Sequence, residues 1–167
     1  NTFSKEGINK IITTSPGCYK IFLNDYRNFV PEWNIEVLNL WGLILEKLKK
    51  NSNLIKNKRF DTVTYNDSCY LGRYCGIYDE PREILRLIGY DIKEMENTRE
   101  NSFCCGSCGS LYLINPDLAD KIASERILQA KRIGVKKMIV IGFESYNLLK
   151  KNSDSIEILE FSEVLDD

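Results

Sequence analysis

Short apolar runs alternate along the chain with longer stretches in which apolar positions recur every three to four residues. Residues 9–14, rich in Ile and Thr, stop at Ser15-Pro16-Gly17 and predict a buried strand. From 18 to 29, Tyr19, Phe22, Leu23 and Tyr26 share one helical face, and Pro31 ends the pattern. Residues 35–39 predict a second strand, and 40–50 a helix with a basic C-terminal end. A polar connection over 51–58 leads to a third strand at 61–65. Residues 81–88 predict a helix with Pro81 in its first turn and Gly89 at its close. A fourth strand is predicted over 91–95. The longest helix spans 116–133, capped by Asn115 and ended by Gly134. A strand at 137–141, a helix at 144–150 and a last strand at 156–160 complete the series. This alternation predicts an α/β fold of Rossmann-like βαβ units with parallel strands and right-handed crossovers.

Two of these stretches resemble each other. Residues 11–22 (IITTSPGCYKIF) match residues 138–149 (MIVIGFESYNLL), and Glu36-Val37-Leu38-Asn39-Leu40 matches Glu157-Ile158-Leu159-Glu160-Phe161. Each pair reads strand, turn, Tyr-bearing helix, strand, which predicts a duplicated unit. On this reading residues 1–55 are the tail of a first repeat and 56–167 a second. The two form one compact piece of a longer protein, with the head of the first repeat upstream. The absence of an initial Met is consistent with a processed, tagged or trimmed piece, and Asn1-Thr2-Phe3-Ser4-Lys5 lacks the apolar segment of a signal peptide.

Composition narrows the function. With 167 residues, 43% of them hydrophobic, the chain can bury a sizeable core. Its net charge of −1 leaves no footprint for nucleic acid, and no apolar run approaches the roughly 20 residues of a membrane-spanning helix. The chain has six Cys and no His. That excludes Ser-His-Asp and Cys-His catalysis and every His-containing zinc site. The adjacent pair Cys104-Cys105 suits a metal cluster better than disulfides, and a reduced, cytoplasmic compartment is expected.

Cys18 follows the first predicted strand, Cys69 the third, and Cys104, Cys105 and Cys108 the fourth. Ligands of an open parallel sheet bind beyond the carboxyl ends of its strands, so these thiols are expected to gather at one rim. Thiolate-only ligands favour an iron–sulfur cluster, with Cys-only zinc second. Cys75 reads as a buried structural thiol. Arg73, Arg82 and Arg99 read as solvated surface, and Tyr65, Tyr70, Tyr74 and Tyr78 as core or rim packing.

The string from Tyr65 to Arg73, then YDEPREIL over 78–85, Glu94-Met95, Asn101-Ser102-Phe103 and Cys104-Cys105-Gly106, resembles the cysteine-rich CCG domain. That family includes heterodisulfide reductase catalytic subunits and related iron–sulfur oxidoreductases for lactate, glycolate and glycerol 3-phosphate. Its pattern is a Cys, a Cys-Cys pair some thirty-odd residues on, and a CxxC at a similar distance. Here 34 residues separate Cys69 from Cys104, and 36 separate Cys105 from Gly142. The resemblance implies two pseudo-repeated domains, each able to hold a cluster between Rossmann-like halves. In the heterodisulfide reductases that cluster is a non-cubane 4Fe–4S centre, built on five cysteines, that cleaves a disulfide in one-electron steps.

The sequence departs from this pattern at several places. The final CxxC falls on Gly142-Phe143-Glu144-Ser145, and the upstream one on Ser15-Pro16-Gly17-Cys18. Asn66 and Ser68 replace the family's His and Pro, and Cys108 stands where relatives carry Gly. The resemblance carries over Cys69, Cys104 and Cys105 as ligands, with Cys108 as a replacement fourth thiolate. Cys18 either joins them or belongs to the upstream unit. Four thiolates suffice for an ordinary 4Fe–4S cluster, the preferred cofactor, or for 2Fe–2S; zinc is the alternative. The expected function is an iron–sulfur oxidoreductase or electron-transfer subunit of heterodisulfide reductase type. It would take electrons from a ferredoxin-like domain or flavoprotein and pass them to a disulfide or a quinone-linked chain, in the cytoplasm or peripheral to a membrane complex. The alternative is a degenerate, zinc-binding or metal-free scaffold in a redox complex.

Overall fold

A computed structural model describes residues 2–55 and 57–165. It opens with a short helix α1 (Thr2–Lys5), then strand β1 (Lys10–Thr13). Helix α2 (Pro16–Lys20) runs through a π-helical turn (Ile21–Asp25) into α3 (Tyr26–Phe29). Strand β2 (Glu36–Asn39) leads directly into α4 (Leu40–Lys50), where Asn39 caps the helix by accepting the Gly42 N–H. Next come β3 (Thr62–Asn66), α5 (Asp79–Leu87) and the two-residue strand β4 (Asp91–Ile92). Helix α6 (Leu111–Ile114) precedes the long α7 (Pro116–Arg132), which Asn115 caps through Leu118 N–H. Strand β5 (Lys137–Val140), helix α8 (Phe143–Lys151) and strand β6 (Glu157–Glu160) close the fold.

All strand pairs are parallel. β1 and β2 form a two-stranded sheet; the other four lie in the order β4-β3-β5-β6. The expectation of an α/β fold with parallel strands is met. The larger sheet is covered on both faces, as parallel sheets require. On one face Val63, Tyr65, Ile139 and Ile141 pack with Leu45 of α4 and Ile84 and Leu85 of α5. On the other, Met138 and Val140 meet Ala119, Ala123, Ile127 and Ala130 of α7 and Leu148 and Leu149 of α8. The β1–β2 unit joins the first face through Tyr19, Val37 and Trp41, whose ring lies 4.9 Å from that of Phe161.

Four elements differ from expectation. The first helix is not uniformly α: the π turn widens it so that Lys20 and Asp25, five residues apart, pair at 2.6 Å, and Phe22 and Tyr26 both reach Trp33. The fourth strand is two residues long rather than five, because beyond Ile92 the chain turns Glu94 toward Arg82. The short helices α1 and α6 have no counterpart in the sequence reading.

Candidate metal centre

β3 ends in Asn66 and delivers Asp67, Ser68 and Cys69 at its carboxyl end. Beyond β4, a loop brings Cys104, Cys105 and Cys108 to the same place. The loop depends on Gly106, whose φ is +89 and where an added Cβ would sit 2.6 Å from the Ala119 carbonyl oxygen. The four thiols line one small cavity, with Cys108 beside Cys69, Cys104 and Cys105. Cys105 Sγ also meets Ser107 Oγ at 3.1 Å and Ser145 Oγ at 3.3 Å, and Gly106 N–H donates to Cys104 Sγ at 3.3 Å. The cavity that the thiols line together with Ser102, Phe103 and Ser145 is about 10 Å³, no more than one water needs.

Electrostatics divides the thiols. Hydrogen bonds from Cys104, Cys108, Ser107 and Ser145 hold Cys105 well below the ordinary thiol range. The Cys108 contact, helped by Arg73, lowers Cys69. Cys108, surrounded by three sulfurs, is pushed up, and Cys104 is raised by Cys105. Arg73 Nε donates to the Glu100 carbonyl at 3.1 Å and its Nη2 to the Ser102 carbonyl.

Beside the thiols lies an ion network. Arg82, fully buried, grips Asp67 with both Nη atoms at 2.7 and 2.8 Å and Glu94 with Nε at 2.6 Å. Asp67 also accepts Arg99 N–H at 2.8 Å, and Arg82 holds its carboxylate below the ordinary value against the cost of burial. The expectation that Arg82 is solvated surface is overturned; Arg99 does reach the surface, paired with Asp79 at 2.6 Å.

The predicted residues therefore separate. Cys69, Cys104, Cys105 and Cys108 come together. Cys18 is exposed near the start of α2 and does not line the thiol cavity. Cys75 packs against the core, where burial raises its thiol. Ser145, at the position of a family cysteine, reaches the thiol group, whereas Gly142 adopts φ +105, a conformation that disfavours any side chain. The donor set suits an iron–sulfur cluster: four sulfurs, with cationic side chains beside them. Among the described residues no three Cys, Asp or Glu side chains are arranged about one point as ligands of a single ion. The sequence reading missed Arg126, fully buried on α7 behind the centre. Its signal was its place on the face made by Ala119, Ala123, Ile127 and Ala130.

Comparison with known proteins agrees with this arrangement. Over 129 residues the chain is 38% identical to the probable iron-sulfur-binding oxidoreductase FadF of Bacillus subtilis, covering 77% of this chain and 18% of that one. It is 36% identical over 129 residues to the EtfAB:quinone oxidoreductase of Syntrophomonas wolfei, covering 75% and 18%. It is 31% identical over 128 residues to a subunit of the dihydromethanophenazine:CoB–CoM heterodisulfide reductase of Methanosarcina mazei, covering 75% and 31%. The chain thus spans about a fifth to a third of the length of these relatives. The model of the CCG cysteine-rich domain matches residues 63–142, the stretch from β3 to the start of α8 that carries all four clustered thiols. This chain carries a cysteine-rich domain of the CCG family over residues 63–142.

Proposed function

We propose that Cys69, Cys104, Cys105 and Cys108 hold an iron–sulfur cluster, of the 4Fe–4S type, and that the protein is an electron-transfer component of an oxidoreductase of heterodisulfide reductase type. The observation that carries this reading is the convergence of four thiols from two loops, with Cys108 beside the other three. When bound, the cluster supplies a one-electron carrier. The residues do the rest. The four cysteines would supply the thiolates, and Gly106 N–H, Ser107 and Ser145 would supply hydrogen bonds to sulfur.

Residues 1–55 are read as the closing βαβ of a first CCG-type unit and 56–167 as a second, supported by the matching sequences and by the matching registers of β1–β2 and β5–β6. A ferredoxin-like domain or a flavoprotein would deliver electrons, and a disulfide or a quinone-linked chain would take them. The names of the relatives support this much: one acts between EtfAB and quinone, another on a heterodisulfide. No described helix is long and apolar enough to cross a membrane.

A second reading is a zinc-binding or metal-free scaffold, favoured by Gly142 and Ser145 in the place of cysteines. Anaerobic reconstitution separates the two. Iron and sulfide in near-equal amounts, a brown colour and an electron paramagnetic resonance signal on reduction support the cluster. A colourless protein with one zinc, or with no metal, supports the scaffold.

A further inference from the structure

Arg126 is fully buried, and every group it is seen to bond is neutral. Its Nε donates to Asn66 Oδ1 at 2.8 Å, its Nη1 to the Asn97 carbonyl at 2.8 Å and Gln129 Oε1 at 2.7 Å, and its Nη2 to Ser102 Oγ at 3.1 Å. Arg82, by contrast, holds two carboxylates. A buried cation without its own anion is costly, and arginines of that kind are rarely found fully buried. Burial depresses the Arg126 guanidinium to about 10, still charged at neutral pH.

The negative groups that act on Arg126 are Asp67, Cys105 and Glu94. Asp67 already forms a two-point pair with Arg82. The surplus carboxylate of that network is Glu94, whose side chain is 33% exposed and so screened by water. That leaves the thiol centre. Ser102 joins the two: it lines the thiol cavity, its hydroxyl accepts Arg126, and its carbonyl accepts Arg73. No substrate or partner can touch a side chain so enclosed.

We infer that Arg126 is a positioning residue for charge, a fixed buried cation that balances the anionic cluster and raises its reduction potential. The inference rests on the reading that the four cysteines hold such a cluster. A reduced cluster carries one more negative charge than an oxidised one, so a nearby cation in a low-dielectric setting favours reduction. One electron enters from the mediator, no proton moves, and no bond of Arg126 changes.

The test compares wild type, Arg126→Gln, Arg126→Lys and Asn66→Asp in the full protein after anaerobic reconstitution. Asn66→Asp keeps the shape and the hydrogen bond but gives Arg126 a private counter-ion, so it remains informative should Arg126→Gln fail to fold. Iron and sulfide per chain, the midpoint potential by mediated titration, and the melting temperature are measured. Arg126→Gln and Asn66→Asp are expected to lower the reduced-to-oxidised ratio at fixed potential about tenfold, which is ~59 mV for one electron. Arg126→Lys should melt earlier yet keep a potential near wild type, which a merely structural role would not produce. Unchanged potentials in Arg126→Gln or Asn66→Asp, or equal shifts in Arg126→Lys and Arg126→Gln, overturn the inference while the cluster reading stands. Wild type that takes up no iron overturns both.

Discussion

The β1–β2 unit and the β5–β6 unit are built alike and placed differently. In the first, Lys10 pairs with Glu36, Ile11 with Val37, Ile12 with Leu38 and Thr13 with Asn39. In the second, Lys137 pairs with Glu157, Met138 with Ile158, Ile139 with Leu159 and Val140 with Glu160. Residues 127 apart in sequence occupy equivalent places on the first strand of each unit, down to a Lys–Glu pair across the strands at 2.9 Å in one and 3.8 Å in the other. Yet β5 lies between β3 and β6 with both faces covered, while β1, among the described residues, pairs with β2 alone and leaves Ile12 53% exposed. The equivalent positions after the strand diverge as well: Cys18 is exposed, and Ser145 sits among the thiols. Local sequence makes the βαβ unit; the neighbouring strand, β3, decides whether the position after it meets chemistry.

The sharpest way to break that comparison is to remove thiols from each side. Cys108→Ala is expected to lose most of the iron held after anaerobic reconstitution, because Cys108 stands beside the other three sulfurs. Cys18→Ala and Cys75→Ala should hold as much iron as wild type. Retained iron in Cys108→Ala would mean that Ser145, Cys18 or water supplies the fourth ligand.

The ion pairs of the two regions differ in the same sense. Asp67 and Arg82 have side-chain exposures of 3% and 0%, whereas Lys20 and Asp25 have 22% and 32%. Asp67→Asn should cost about 3 kcal/mol, the scale for breaking a buried pair. Asp25→Asn should leave the denaturation midpoint unchanged. The pH dependence follows from Asp67 and Glu94, both held below ordinary carboxylate values by Arg82 against the cost of burial. A lowered folded value gives stability that is complete above the unfolded pKa near 4 and is lost as pH falls through the folded value. Acid titration of stability should therefore be steeper in wild type than in Asp67→Asn. Equal slopes would refute the role given to this network.

The parallel α/β order was readable because strand runs end at Ser15-Pro16-Gly17 or Gly142 and helices at Gly89 and Gly134, where backbone chemistry is local. The thiol convergence was readable in part: Cys69 and the Cys104–Cys108 loop follow β3 and β4, parallel neighbours that share one carboxyl end, whereas Cys18 follows β1 of the other sheet and stays apart. The interior charges were not. Arg126 lies seven residues after Ala119 and three after Ala123, so its face was predictable, but its partners Asn66, Asn97 and Ser102 come from separate loops and strand ends. Arg82 precedes Leu85 by three residues on the same buried face, and its anions Asp67 and Glu94 lie fifteen residues before it and twelve after. A charged residue on an apolar face announces burial, while its counter-ions, distant in sequence, are set by tertiary packing. The short β4 has the same origin, since Glu94 answers Arg82 rather than the strand's period.

The smallest effect separates the units by packing alone. Ile12 and Ile139 occupy equivalent positions, each third in its strand, yet Ile139 is 0% exposed and lies in the core with Tyr65, Ile84 and Phe161, while Ile12 is 53% exposed. Deleting one methyl group from a site that cannot collapse removes its transfer free energy and leaves a void; at an exposed site neither term is large. Ile139→Val is expected to cost about 1 kcal/mol, and Ile12→Val a few tenths at most. For a chain of this size the first corresponds to a fall of roughly 2–4 °C in melting temperature. Both substitutions keep the β-branch, so strand propensity is constant and the difference reports burial. Equal losses would mean that Ile12 is covered in the intact protein, and that the first unit is as enclosed as the second.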